Sequence, residues 1–328
     1  MGRNDIKPEE INKAVGIING IMDYYKKRIV GQELLGQSLL VSLMANGHIL
    51  LESVPGLAKT TAAKIITNAV SGDFSRIQCT PDLMPSDIIG GQIYNYSTSS
   101  FETKLGPVFA NFVLLDEINR SSSKTQSAML EAMQERQTTI GGFIYKMPRV
   151  FIVIATQNPI EQEGTYPLAE AQMDRFFMKE VLTYPSTQEE VEIMNRLEQK
   201  VFDDNKPIFS LVDVLFLQYL TEKVYIDTNI KKYISLIVSV TREPEKYIDK
   251  EYAQYITMGA STRASIAFMQ CSKAMALIHG RSYVTPDDIK ALANRILRHR
   301  ITLSFAAEAN GIKVETIINE IMKKVPAP

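Results

Sequence analysis

Four short runs of strand length punctuate the first half of the chain: "HILLES" at 48–53, "FSRIQCT" at 74–80, "FVLLD" at 112–116 and "VFIVIAT" at 150–156. Each reads as a buried strand, covered on both faces. Helical stretches such as "KTQSAMLEAMQE" lie between them. Strand and helix in alternation specify an α/β fold, with a mostly parallel sheet between two layers of helices. A last short strand, "FMKEVL", ends near Leu182, and "TYPSTQEE" then supplies a proline break and a Ser186 to Glu189 capping box. The domain boundary falls there. Residues 1–185 form the α/β core, opened by an amphipathic helix around Ile11, and 186–328 form an all-helical domain in which Thr285 caps a helix with Pro286 in its first turn.

With 328 residues, 45% of them apolar, the chain can bury two packed domains. Its 36 basic and 37 acidic residues leave a formal charge of -1, which removes the global electrostatic footprint of a sequence-independent nucleic-acid binder. A basic channel formed on assembly would escape that test. Cys79 and Cys271 stand far apart without a CxxC partner, which fits a reducing compartment and argues against disulfides or a zinc knuckle. No run approaches the roughly 20 apolar residues that cross a bilayer, and the N-terminus lacks a signal-like apolar region. The expectation is a cytoplasmic protein with no membrane span.

Directly behind the first run comes "LESVPGLAKT", residues 51–60, which departs from the phosphate-loop pattern G-x-x-x-x-G-K-[ST] at Ser53 and Ala58 and carries its glycine at position 56. Binding a triphosphate takes converging backbone N–H groups, small residues for close approach, a lysine for the outer phosphates and a hydroxyl for magnesium. Gly56, Lys59 and Thr60 meet the last three demands, and "TAAKIITNAV" behind them places them at a helix N-terminus, where the dipole favours anions. Alone, the loop reads equally well as an ordinary strand-to-helix turn.

Two further strands carry matching chemistry at their C-terminal ends, where open parallel sheets bind ligands. "FVLLDEINR" ends in Asp116 and Glu117. Asp116 suits magnesium held through its waters, and Glu117 suits the orienting and polarising of an attacking water. Solvated acids at a strand end are the plain alternative; what favours the first reading is the joint occurrence with the loop, in order and on separate strands. "VFIVIATQNP" ends in Asn158, placed to hydrogen-bond a γ-phosphate and the water, although an Asn before Pro is by itself a turn former.

With these elements in place, the chain resembles an AAA+ ATPase, and within that superfamily it is similar to the MoxR family. The resemblance runs through "TPDLMPSDIIGGQIYN", "GPVFANFVLLDEINR", "KTQSAMLEAMQERQTTIGG" and "IATQNPIEQEGTYPLAEAQMDRFF", and resumes at "GASTRASI" and "LRHRI". It implies a five-stranded parallel sheet of order 5-1-4-3-2, a helical lid and a ring, usually hexameric. It makes Ser53, Val54, Pro55, Gly56, Leu57, Ala58, Lys59, Thr60 and Thr61 the loop around the phosphates of ATP or ADP, with Val30 and Gly31 lining the adenine. Thr60 and Asp116 would hold Mg²⁺, Glu117 would direct the water, and Asn158 would sense the γ-phosphate. Arg175 matches an arginine finger reaching a neighbour's ATP, and Arg263 a second sensor contacting the γ-phosphate of its own chain. The resemblance further implies a client protein, with one carrying a von Willebrand factor A domain as a candidate, while the near-neutral charge argues against nucleic acid as a partner.

By the same resemblance, residues 82–106 contain an insert and "RQTTIGGFIYKMPR" a hairpin, both directed at the pore of the ring. Tyr94, Tyr96 and Phe101 either face a client there or pack the insert onto the core. The cations of "NRILRHR", residues 294–300, read as helix-dipole partners facing solvent in preference to a nucleic-acid patch. "MQCSKAMALIHG" reads as lid core. Family members carry glycine where Ser53 stands, proline at Ala169 and Thr262, and "APP" at 121–123. Serine at 53 would cost about 1 kcal/mol if its backbone needed a positive φ. Two other functions stay open: a nucleotide-dependent scaffold with little turnover, and a related ring ATPase acting on DNA or in metal chelation.

Overall fold

A computed structural model describes residues 6–54, 56–159, 166–198 and 206–328. The first region contains, in order, α1 (Pro8–Arg28), α2 (Glu33–Met44), β1 (Ile49–Glu52), α3 (Lys59–Ala69), β2 (Phe74–Gln78), α4 (Pro85–Ile89), β3 (Gly90–Asn95) and β4 (Ser100–Leu105). It continues through β5 (Phe112–Asp116), α5 (Ser123–Glu135), β6 (Gln137–Ile140), β7 (Phe143–Lys146), β8 (Ile152–Gln157), α6 (Glu170–Met173) and β9 (Met178–Val181). The helical region holds α7 (Thr187–Glu198), α8 (Leu211–Lys223), α9 (Thr228–Arg242), α10 (Lys250–Ala253), α11 (Thr262–Ile278), α12 (Pro286–Leu297), α13 (Phe305–Ala309) and α14 (Val314–Lys324). It also holds one short antiparallel ribbon, β10 (Ile256–Met258) with β11 (Thr302–Leu303).

The five long-range strands form one parallel sheet in the order β2-β5-β8-β1-β9. Numbered one to five along the chain, that is the expected 5-1-4-3-2. Alternation along each strand feeds two cores. Ile49, Leu51, Phe112, Leu114, Ile152 and Ile154 join the helices α1 to α3, whereas Leu50, Val113, Leu115, Val153 and Ala155 face α5. "FSRIQCT" is a strand, but not a buried one: β2 sits at the sheet edge, and of its residues only Ile77 is buried.

The helical region shares the first of these cores, through Val214, Ile237, Phe268 and Leu292 among others. Lid and sheet are thus one continuous apolar body. Cys271 and Met275 on α11 are buried in it, as expected of the Met-rich segment. Both cysteines are buried, with thiols pushed up to about 12 by desolvation, so neither is reactive. The "NRILRHR" cations do not face solvent. Arg295, His299 and Arg300 are buried, and Arg300 donates to Asp174 Oδ1 at 2.8 Å and to the Phe176 carbonyl at 2.6 Å. Arg295 pairs with the buried Glu180 of β9 at 3.2 Å. A helix end pressed against the sheet uses its cations to satisfy buried carboxylates and carbonyls, which a reading of charge and helix dipole alone does not foresee.

Candidate active site

Three groups of side chains are positioned by the sheet, two on its C-terminal edge and one on its N-terminal edge. The first begins where β1 ends. Ser53 is buried, and its N–H donates to the Gln157 carbonyl at 3.2 Å, which ties the loop root to β8 just before Asn158. Pro55 lies outside the described residues. Gly56 has φ +86° and Ala58 φ 55°, after which α3 starts at Lys59. Ser53 is not in the left-handed region. The backbone strain anticipated for it falls instead on Ala58, at roughly 1–2 kcal/mol for a residue with a Cβ. The twist turns the first N–H groups of α3, those of Lys59, Thr60 and Thr61, outward at the helix N-terminus, where no preceding helical carbonyl reaches them.

Opposite the loop, β5 ends in the buried Asp116, and Glu117 follows with φ 57° and ψ 53°. One hydroxyl orients both. Thr156 Oγ1 donates to Asp116 Oδ1 at 2.9 Å and accepts from the Glu117 N–H at 2.8 Å. The edge strand adds two contacts: Arg76 donates to Asp116 Oδ2 from Nη2 at 2.6 Å, and Gln78 Nε2 donates to Glu117 Oε2 at 3.2 Å. Arg120 also pairs with Glu117, at 3.2 Å. Asn158 follows β8 and is buried. Across the root of the loop, Glu52 accepts from Lys179 at 2.6 Å and from Gln157 at 2.7 Å, which locks β1, β8 and β9 together. Burial opposes ionisation of that carboxyl, but Lys179, Gln157 and Arg298 together outweigh it and hold Glu52 below the usual carboxylate range.

Thr156, Arg76 and Gln78 were not among the sequence candidates. A threonine two places before Asn158 in an apolar strand was a usable signal for the first. Arg76 and Gln78 share one face of β2 by alternation, but only the strand order places that face beside the acids.

The second group lies on the same edge, past the end of β9. Val30 and Gly31 line a cleft of about 510 Å³ with Leu182, Thr183 and Glu189. Gly31 has φ +72°, which favours glycine, and the Glu189 carboxylate lies close against it. Glu189 closes the expected capping box with Ser186, accepting from its N–H at 2.7 Å. Arg196 of α7 donates to the Lys26 and Lys27 carbonyls at the end of α1, at 2.9 and 3.0 Å, and so holds that wall of the cleft in place.

The third group occupies the opposite edge. Arg175 and Arg263 line a cavity of about 260 Å³ together with His48, Asp174 and Phe177. His48 directly precedes β1 and Phe177 directly precedes β9, so this is the N-terminal edge of the sheet. Arg175 donates to the Leu130 carbonyl at 3.0 Å and not to its neighbour Asp174, which accepts from Ser261 at 2.6 Å and from Arg300, with Arg263 at 3.5 Å. Arg263 stands beside Arg175 at this edge, whereas Lys59 opens α3 behind the C-terminal end of β1.

Two hairpins project from the core. In β3–β4 and the turn joining them, Tyr96 is 87% exposed and Phe101 66% exposed, and Tyr94 stacks edge-on against both. These rings pack on each other and not on the sheet, which removes the reading in which they fix the insert to the core. In β6–β7, Phe143 and Ile144 are exposed beside the Gly141–Gly142 turn, and Tyr145 OH donates to Thr103 Oγ1 of β4 at 3.0 Å. The hairpins stand side by side.

Hard oxygen donors fit magnesium. Thr60 and Asp116 offer two, and Mg²⁺ keeps most of its other positions for phosphate and water. Among the described residues no group of three or more His, Cys, Asp or Glu forms a protein-only cage. Among them, too, no helix is long and apolar enough to cross a membrane.

Comparison with known proteins agrees with this fold. Residues 48–178 match the family model "ATPase family associated with various cellular activities", and residues 249–321 match the AAA lid domain. The chain is 46% identical to Chaperone MoxR1 of Mycobacterium tuberculosis over 92% of its own length and 80% of that protein. It is 44% identical to an uncharacterized Bacillus subtilis protein, YeaC, over 97% and 95% of the two chains. A crystal structure from Cytophaga hutchinsonii, described as that of a candidate ATPase, superposes with a TM-score of 0.90 at 47% identity, covering 98% of this chain and 97% of that one.

Proposed function

This chain belongs to the MoxR family of AAA+ ATPases, and we propose that it hydrolyses Mg²⁺-bound ATP as a ring, hexameric in the usual manner, to remodel or activate a client protein. The observation that carries the reading is the convergence, on one sheet edge, of the α3 N-terminus with Asp116 and Glu117 held by a single threonine hydroxyl. In this reading the first-turn N–H groups and Lys59 bind the β- and γ-phosphates. Thr60 and Asp116 hold the metal, which when bound neutralises charge developing on the phosphoryl group. Glu117 accepts a hydrogen bond from the attacking water and aims it in line, and Asn158 fixes the γ-phosphate and the water relative to each other. The cleft at Val30 and Gly31 takes the adenine.

Arg175 and Arg263 both lie on the far edge, so each serves the nucleotide of a neighbouring subunit. Their rigid guanidinium forks stabilise spread phosphoryl charge mainly in the transition state. Hydrolysis then depends on assembly. The exposed rings of the two hairpins form an apolar surface suited to a client, for which a von Willebrand factor A domain is the candidate carried by family resemblance. The inward-turned arginines of 294–300 offer no patch for nucleic acid.

Steady-state phosphate release tests the reading. Glu117→Gln should bind nucleotide as the parent does and lose at least about 100-fold in turnover. A rate equal to that of the parent would instead favour a nucleotide-dependent scaffold.

A further inference from the structure

Asp116 presents two oxygens, and both are engaged within the chain. Oδ1 accepts from the Thr156 hydroxyl, and Oδ2 accepts twice from Arg76, at 2.6 Å from Nη2 and 3.1 Å from Nε. The Asp116 side chain is 11% exposed and that of Arg76 48% exposed, so water reaches the carboxylate past the guanidinium. The geometry points to Arg76 as an internal competitor for the magnesium carboxylate: guanidinium and hydrated metal compete for the charge of Asp116, and Arg76 thereby sets how strongly metal binding and nucleotide binding depend on each other. The inference rests on the reading of Asp116 as the metal's carboxylate.

The competition is electrostatic. A triphosphate arriving without a metal meets a nearly buried carboxylate of its own sign, and repulsion in that environment is weakly screened. Arg76 cancels the carboxylate's charge and lets the anion bind. When Mg²⁺ arrives, the metal with its waters competes with Arg76 for the charge of the same carboxylate. Arg76 can leave at small cost, because β2 is the edge strand, the side chain is half in water, and Gln78 Oε1 already accepts from the same Nη2 at 2.8 Å. The arginine therefore favours metal-free nucleotide and disfavours metal. By linkage, its removal must increase the coupling between the two ligands.

This predicts two shifts of opposite sign for Arg76→Gln. Nucleotide affinity in EDTA, followed with a fluorescent ATP analogue, should fall about three- to tenfold, while the Mn²⁺ concentration that half-fills the site, followed by electron paramagnetic resonance with ATP in a Glu117→Gln background, should fall by a similar factor. Arg76→Lys keeps the charge and should lie between parent and Gln variant on both. A merely structural role for Arg76 would weaken nucleotide and metal together. Shifts of the same sign, or none, overturn the proposal. Asp116→Asn separates the two levels of the argument. If it leaves Mn²⁺ binding unchanged, the assignment of Asp116 to the metal fails and the proposal with it; if it weakens Mn²⁺ binding but Arg76→Gln does not tighten it, only the role of Arg76 fails.

Discussion

Ala58 holds a left-handed conformation immediately before Lys59, the position where a P-loop of the common pattern has glycine. A Cβ there costs roughly 1 kcal/mol, whereas Ser53 sits outside that region and hydrogen-bonds normally to Gln157. Ala58→Gly should therefore relieve native-state strain, though part of the gain is returned as unfolded-chain entropy, and urea unfolding should show a net change of no more than about 1 kcal/mol in its favour. Ser53→Gly should show no gain in stability or ATP affinity; a severalfold gain would mean that the loop root is strained after all. The buried histidines make a second prediction. His48 accepts from the Val153 N–H at Nδ1 and donates from Nε2 to the Met133 carbonyl, so it is neutral in the fold. Burial, with Arg136 nearby, pushes it down to about 3, and burial, with Arg300 nearby, pushes His299 well below the usual imidazole range. A lowered imidazole pKa means that the unfolded chain binds more protons below about pH 6.5, so stability is full above that value and falls as pH drops beneath it. The slope is ~1.4 kcal/mol per pH unit for each histidine, or ~2.7 for the pair, until the carboxylates begin to titrate near pH 4.5. Urea unfolding between about pH 8 and about pH 5 should show it, and His48→Gln should remove about half of the slope.

At the scale of elements, the hairpins β3–β4 and β6–β7 contribute exposed rings that bury little, so their truncation should leave the fold intact. Phe101→Ser together with Phe143→Ser should keep the unfolding free energy within about 1 kcal/mol of the parent and basal phosphate release unchanged, while losing client capture by a Glu117→Gln trap loaded with ATP. Equal capture would move the client surface elsewhere. Whether such rings pack inward or face out was not legible from residue types, because aromatics among polar residues suit both. The sheet was legible, because burial on both faces leaves the unbroken apolar runs of β1, β5 and β8 as its mark. β2 was found as a strand and misjudged in burial: "FSRIQ" alternates, and an edge position uses that alternation to expose Arg76 and Gln78. The placing of Lys59, Thr60, Asp116 and Glu117 at the C-terminal edge of the sheet was legible from order and spacing. Thr156 was flagged only by its place in an apolar strand two residues before Asn158, and its purpose shows only in what it touches across the sheet.

For the molecule as a whole, the buried pairs Arg300–Asp174 and Arg295–Glu180 clamp the end of α12 to the N-terminal edge and the last strand of the sheet. Removing one partner leaves a buried charge, at a cost of about 3–5 kcal/mol, so lid and core are held as a unit. The same Asp174 fixes Arg263 and Ser261 next to Arg175, so the clamp also positions the arginine pair. That pair and the phosphate loop lie on opposite edges of one sheet, a separation that no rearrangement of side chains can close. On the proposed reading a chain by itself holds two halves of different sites. If neighbours complete each other, Arg175→Ala and Glu117→Gln should each be nearly inactive alone, for different reasons: the first has an intact water-directing acid but supplies no finger, and the second supplies the finger but lacks the acid. Mixed rings contain junctions where the intact Glu117 of one chain meets the intact Arg175 of the other. Mixing the two inactive proteins should thus restore a substantial fraction of the parent's phosphate release, with a maximum near equal proportions. An Arg263→Ala chain mixed with Glu117→Gln should be rescued in the same way, because both arginines act across the interface. No rescue at any ratio, with mixed rings demonstrated by exchange of a labelled subunit, would return the arginines to their own chain and require the lid to move across the sheet edge during the cycle.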